Sequence, residues 1–351
     1  MKKNMRRIAL ILVLVMTVAF SVSCGNGSDG GSAAGSADGS ASEGTITYRM
    51  SMTTAVDDPV TLAANEFADK VAERTDGRVI VKVFPANQLG DYLAVFDEVM
   101  RGTIDMAYAP PTDNYEPDIY LSFLPYLITS YEDIPKVYGK DSVLFQETEK
   151  LYENLNLKFL GYGTIGFLGV GATKPVVDEN HELITSSLIR TSSDLLSKLT
   201  MEGFGYNVST MPYVDVFSGL QTGIIDGWLG GNPSINYFNF RDVIKYYYHF
   251  KVIMENAHLY MGQDAFNKMS EEDQAIFIEC ADEMLEQSYK DAQALDEEYM
   301  KELENFGIEV VEFTPEELDE MADLIRTNVW PAIANDKYSE EMIEKIKADL
   351  E

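Results

Sequence analysis

The sequence predicts an α/β protein of more than one domain, and two patterns carry that expectation. Strand and helix signals alternate from Thr45 to Ala109, and one helical period then runs from Ser270 almost to Gly307. In the first region, strands at 45–52, 78–84 and 104–109 alternate with helices at 59–75 and 92–101, which is how an α/β unit reads. Val60, Ala64, Phe67 and Val71 recur at helical spacing, with Asp58 placed to cap that helix and Pro59 at its first position. Val79, Val81 and Val83 share one face of the strand after the Asp76-Gly77 turn.

In the second region Phe277, Ala281, Met284, Ser288, Ala292, Leu295, Tyr299 and Leu303 recur every three or four residues. Ser270 is the cap, Asp273 sits at the capping-box position, and Gly307 ends the pattern. Such a helix runs roughly 50 Å at 1.5 Å per residue, more than one domain needs, so it is expected to span two; a broken pair of helices has the same periodicity. Between these regions, 131–154 is helix-rich. Strands are expected at 157–162, 167–173, 187–190 and 224–228, and short helices at 194–203 and 214–221. Residues 308–313 read as a strand, and Thr314-Pro315-Glu316-Glu317 is a strong helix start. The aromatic run FRDVIKYYY reads as a packed helix or strand face rather than a stacking platform.

The N-terminus predicts export. Lys2, Lys3, Arg6 and Arg7 precede an apolar run at 8–20, and small residues lead to Cys24, as in a signal peptide spanning 1–23. A Cys at that place resembles a bacterial lipobox, although Ser21 stands where an aliphatic residue is usual. Cys24 is therefore expected to carry lipid, the alternative being plain cleavage nearby. Residues 24–44, rich in Gly, Ser and Ala, form a tether without a core. Removing 1–23 takes away four basic groups and no acids from a chain whose formal net charge is already −31. That charge argues against nucleic acid and against docking on an anionic membrane surface. It leaves room for a small anion held by one or two placed cations. Only Cys24 and Cys280 exist, so no disulfide or metal framework is expected, and Cys280 reads as a small buried hydrophobe.

Enzyme signatures are missing from the sequence. The three histidines, His181, His249 and His258, have no metal spacing, and no nucleophile elbow, P-loop or dinucleotide motif occurs. No cofactor or metal is expected.

Four segments carry a family likeness: FADKVAERTDGRVIVKVFPANQLGD at 67–91, GTIDMAYAP at 102–110, IRTSSDLLSKLTMEGFGYNVSTMPYVDVFSGLQTGIIDG at 189–227 and NKMSEEDQAIF at 267–277. From Thr45 onward the chain resembles the solute-binding proteins of TRAP (tripartite ATP-independent periplasmic) transporters, the DctP family. The resemblance implies a two-domain periplasmic-binding-protein-like fold with an interdomain ligand cleft and a long domain-spanning helix. It implies lobes of 45–165 plus about 256–297, and 166–255 plus about 298–351. It also implies a small organic carboxylate as ligand, delivered to two integral membrane transporter subunits. Service to a sensor or an ATP-driven importer is the alternative, with an extracytoplasmic hydrolase further off.

By the same resemblance Arg190, within SLIRTSS, grips the ligand carboxylate, for which a planar guanidinium is suited. Tyr213 in MPYVDVF would stand against the ligand and Asn232 in GGNPS would hydrogen-bond it. The family's second arginine is replaced by Leu168, while Lys174-Pro175 is kept, so a dianion clamped by two arginines is not expected. The segment WLGGNPSINYFNF is longer than usual, which brings in Trp228 and Tyr237 as pocket residues, with plain core packing the alternative for Trp228. Ser51, Thr53, Tyr108 and Pro110, at or after strand ends, are the candidates from the facing lobe.

Overall fold

The computed structural model describes residues 44–350, so the expected signal peptide, Cys24 and the expected tether up to residue 43 lie outside the described residues. Among the described residues, eleven strands form two sheets. The strands are β1 (Ile46–Met52), β2 (Val79–Phe84), β3 (Met106–Ala109), β4 (Leu157–Phe167), β5 (Val170–Ala172) and β6 (Leu188–Thr191). They continue with β7 (Asn207–Thr210), β8 (Gly227–Leu229), β9 (Tyr246–His249), β10 (Met254–Gly262) and β11 (Glu309–Glu312). The first lobe's sheet runs β2-β1-β3-β10-β4, and the second lobe's runs β11-β9-β5-β8-β6-β7.

In the first sheet β1 is parallel to β2 and β3, as expected of α/β units, while β10 inserts antiparallel between β3 and β4. In the second, β5 is antiparallel to β8 and β9, and β6 lies parallel to β7 and β8. The chain crosses between lobes after Phe167 and again before Met254, where strands of one sheet pass into the other. The crossings are tied together: the Leu168 N–H donates to the Ile253 carbonyl at 2.8 Å, and the Val252 N–H to the Leu168 carbonyl at 3.3 Å.

The third connection is the long helix. It is unbroken from Glu271 to Phe306, 36 residues or about 54 Å. Ser270 Oγ accepts from the Asp273 N–H at 3.1 Å, and Gly307 ends the helix at φ +101°, a conformation open to glycine. The Asp273 carboxylate does not complete a capping box. It takes the Arg78 guanidinium instead, at 2.8 Å and 3.1 Å, fixing the helix start to the first lobe. The helix packs on β4 and the Pro59–Arg74 helix of the first lobe and on β11 of the second.

The aromatic run FRDVIKYYY ends, as expected, in a packed strand, β9, whose Tyr247 and Tyr248 are buried; a π-helical turn at Asn236–Phe240 leads into it. One element differs from expectation. The C-terminal helices bridge the lobes. Helices Pro315–Asn328 and Trp330–Asp336 pack on Leu195–Gly203, while Glu340–Leu350 packs on Val143–Asn154. Arg326 and Trp330 donate to the carbonyls of Tyr126 and Pro125.

Glycines stud β4 and the turn that follows, and other elements fill the space they leave. A Cβ at Gly161 would meet Leu285, at Gly163 Tyr108, at Gly166 Asp296 and Asn232, at Gly169 Tyr247, and at Gly171 Trp228 and Asn236.

Candidate functional site

Parallel strands aim their carboxyl ends at a common crevice, and four such ends meet here. β6 delivers Arg190 and then Ser192. β1 leads to Thr53 and Thr54, β3 to Pro110, and β8 to Gly230 and Gly231. These residues line one cavity of about 80 Å³ with Tyr92, Tyr120, Phe123, Leu168, Ser197, Tyr213, Trp228, Leu229, Ile235 and Glu255. A cleft of about 170 Å³, walled by Arg190, Tyr92, Ser192, Tyr213 and Met211 among others, adjoins it.

Among the described residues Arg190 is the only cation in the cavity wall, and it is 4% exposed. Its Nε and Nη2 both donate to the Met211 carbonyl, at 2.9 Å and 2.6 Å. Among the described residues nothing hydrogen-bonds Nη1, and no carboxylate oxygen lies within 4 Å of the guanidinium. Burial lowers its pKa, with the charges of Tyr92 and Asp194 acting the other way. Asp194 is itself committed: it caps the Leu195–Gly203 helix through the Ser197 N–H at 2.7 Å and accepts from the Ser192 hydroxyl. Arg190 is thus a positioned, desolvated cation with no ion-pair partner among the described residues, which is a cost to the fold.

The rest of the wall is aromatic and hydroxylic. Trp228 Nε1 donates to Asn236 Oδ1 at 3.1 Å, and its ring packs on Phe240 at 4.4 Å and Tyr213 at 6.0 Å. The Tyr213 hydroxyl accepts from Asn239 Nδ2 at 2.8 Å. The glycines at 230 and 231 leave room for the Trp228 ring, which a Cβ at either would strike. Leu168 occupies the wall where the sequence resemblance locates the family's second arginine.

Of the residues singled out by sequence, the structure brings Arg190, Tyr213, Trp228, Thr53 and Pro110 into this cavity. It sets four elsewhere. Asn232 caps the short helix Pro233–Ile235: its Oδ1 accepts from the Ile235 N–H at 3.0 Å, and its Nδ2 donates to the Ile165 carbonyl at 2.5 Å. The amide pins the second lobe to the crossing strand and does not line the cavity. Tyr237 is half-buried beside Phe238 and Tyr299, with the Arg241 guanidinium 4.4 Å over its ring. Ser51 is buried within β1, where its backbone pairs with Phe84 and Ala107. Tyr108 lines a different groove of about 160 Å³ under the long helix, because its ring reaches toward Gly163.

Sequence reading missed Tyr92, Tyr120 and Glu255. Glu255 carried a signal: it is an acid at the start of VIMENAHLYMG, an otherwise largely apolar run, and β10 is buried along its whole length. Burial pushes its carboxyl up to about 8, helped by Asp58 and Asp296, against the pull of the Asn232 N–H. Two further acids are buried near it. Asp58, held up to about 6 by burial, caps the Pro59–Arg74 helix. Asp296, held up to about 7 by burial, accepts from the Phe167 N–H at 2.8 Å and the Tyr131 hydroxyl at 2.7 Å.

A larger cavity lies elsewhere. It encloses about 420 Å³ between the long helix and the helices of 134–154. There Lys140 is already paired with Asp282 at 2.6 Å, and among the described residues no buried unpaired cation faces it, which makes the smaller cavity the stronger candidate. Among the described residues, no group of His, Cys, Asp and Glu is arranged to hold a metal ion, and no helix is long and apolar enough to cross a membrane.

Comparison with known proteins bears on the fold. The ectoine-binding periplasmic protein TeaA of Halomonas elongata is 25% identical over 262 residues, 70% of this chain and 72% of its own. A TRAP periplasmic solute-binding protein from Haemophilus influenzae, solved with L-gulonate, superposes with a TM-score of 0.77 at 20% identity, covering 86% of this chain and 99% of its own. The sugar acid binding protein DctPAm of Advenella mimigardefordensis, solved with galactonate, gives 0.78 at 19% identity over 88% and 98%. These likenesses bear out the two-lobed fold. The profile of the family described as bacterial extracellular solute-binding protein, family 7 (DctP), matches residues 50–336, and the chain belongs to that family.

Proposed function

We propose that the protein captures a small organic carboxylate in the cavity around Arg190 and delivers it to the two membrane subunits of a TRAP-type secondary transporter. The observation that carries the ligand class is Arg190 itself: buried, oriented by one carbonyl and unpaired with any acid. The ligands named for the two solved relatives, gulonate and galactonate, are carboxylates, which supports the same reading. The protein is exported and held at the membrane by lipid on Cys24, through the tether of 24–44. Its lobes are 45–165 with about 256–297 and 166–255 with about 298–351, the last helix reaching back onto the first lobe.

A thermal-shift screen of carboxylic acids tests this. A ligand at a hundred times its Kd stabilises the fold by about 2.7 kcal/mol. Truncating one partner of a buried charge pair costs roughly 2–5 kcal/mol, on the order of 30- to several-thousand-fold in affinity. Arg190→Ala is therefore expected to stay folded and lose the shift. An acid that shifts wild type and the variant equally would remove Arg190 from the site.

A further inference from the structure

We propose that Glu255 sets the specificity of the cavity: its carboxylic acid donates a hydrogen bond to a neutral oxygen of the ligand and turns away ligands that would present a second negative charge. The proposal rests on the carboxylate-capture reading and names the ligand's charge. Glu255 lines the same cavity as Arg190 and is 8% exposed. Its Oε2 accepts from the Asn232 N–H at 3.0 Å. Among the described residues nothing bonds Oε1, and no cationic nitrogen lies within 4 Å of the carboxyl group.

Burial and the neighbouring acids favour the neutral form, against the pull of the Asn232 N–H. β4 presents Gly166, which has no side chain, across the pairing register. The charged neighbours are acidic: Asp58 at the start of the Pro59–Arg74 helix and Asp296 on the long helix. The Tyr213 and Tyr247 hydroxyls also feel the Glu255 charge, and both titrate well above neutral pH because they are buried. With the carboxyl held up to about 8, Glu255 carries its proton at pH 7. Leu168 supplies no charge. The cavity therefore offers one cation and one acid proton, which suits a monocarboxylate bearing a hydroxyl, ether or keto oxygen. A second carboxylate would meet Leu168 and Glu255, where no cation neutralises it. Ionising Glu255 cancels the positive charge of the wall, so anion affinity falls as pH rises past 8.

The test is calorimetric titration at pH 6.5 and pH 9 with L-gulonate, D-galactonate and orotate as monoanions, and L-malate and succinate as dianions. The proteins are wild type, Glu255→Gln and Glu255→Ala, each checked for folding by circular dichroism. At pH 9 about one molecule in eleven keeps the proton, so wild type is expected to bind its best monoanion about tenfold more weakly than at pH 6.5. Glu255→Gln, which keeps a neutral donor and an acceptor for Asn232, is expected to bind that ligand within about threefold at both pH values. Glu255→Ala loses about tenfold at pH 6.5, as expected when one buried hydrogen bond is removed. Wild-type affinity that is flat with pH, a Gln variant that keeps the loss at pH 9, or a dianion bound more tightly than every monoanion overturns the proposal while leaving carboxylate capture standing. Silence of all five probes with wild type at pH 6.5 overturns both.

Discussion

Replacing Asp296 with Asn should change how stability depends on pH. Asp296 is fully buried on the long helix. Its Oδ2 accepts two hydrogen bonds, while Oδ1 has no partner. His249 lies 3.8 Å away but brings no charge, since burial pushes its imidazole down to about 3. The carboxyl is therefore held up to about 7, against an ordinary value of 3.8. A group raised on folding gives its full stabilisation below its unfolded pKa and loses it as pH rises through the folded value. The folded protein holds this proton between about pH 4 and pH 7 while the unfolded chain has released it, so this group lowers stability across that window. The separation of the two values corresponds to about 4 kcal/mol, an upper figure because Glu255 and Asp58 titrate nearby. Asparagine keeps an oxygen for the Phe167 N–H and the Tyr131 hydroxyl and cannot ionise. Urea unfolding followed by circular dichroism at pH 4.5, 6, 7 and 8 reads the effect. Relative to wild type, Asp296→Asn should gain about 2–4 kcal/mol between pH 4.5 and 8, with the gain complete just above pH 7. A difference constant within about 0.5 kcal/mol over that range would show that Asp296 is not held neutral.

Gly166→Ala should cost more than 2 kcal/mol. The backbone there has φ +143°, and an added Cβ would fall on Asp296 Oδ1 and within 2.9 Å of Asn232 Nδ2. Gly102→Ala, at φ +74° with open space around it, should cost only about 1–2 kcal/mol in urea unfolding, and equal costs would discount the contact. Trp228 and Trp330 are the two tryptophans, and only Trp228 lines the cavity, so ligand-induced change in tryptophan emission should vanish in Trp228→Phe and persist in Trp330→Phe. Trp228→Phe should also cost about 1–3 kcal/mol, because Asn236 Oδ1 loses its indole donor; a full fluorescence response in that variant would place the ligand elsewhere.

The long helix was legible because its signals are local: Ser270 caps it, Gly307 stops it, and apolar residues mark one stripe between them. The early α/β unit was legible for the same reason. β10 was not. Its buried run does not alternate, and its place between β3 and β4 depends on partners about 100 to 150 residues away in sequence. Arg190 and Tyr213 were singled out through family resemblance, and no property of the isolated segments would have separated Arg190 from a surface ion pair. Asn232 illustrates the limit. Asparagine before proline fits a ligand contact or a helix cap equally well, and only the geometry shows its amide engaged by Ile235 and Ile165. Tyr108 and Ser51 sit close in sequence to Pro110 and Thr53, which reach the cavity, but both still lie within their strands, where the Tyr108 ring extends to Gly163 and Ser51 is buried.

The missing side chains of 161–171 turn the seam between the lobes into a set of sockets, each holding a plug from a distant part of the chain. Widening a socket residue jams the plug, and trimming the plug leaves a void, so either change alone is penalised. Anyone reshaping this binder for a new compound would do better to vary Leu168, which lines the cavity and fills none of these sockets, and to alter residues 163 and 108, 166 and 296, or 171 and 228, only in matched pairs.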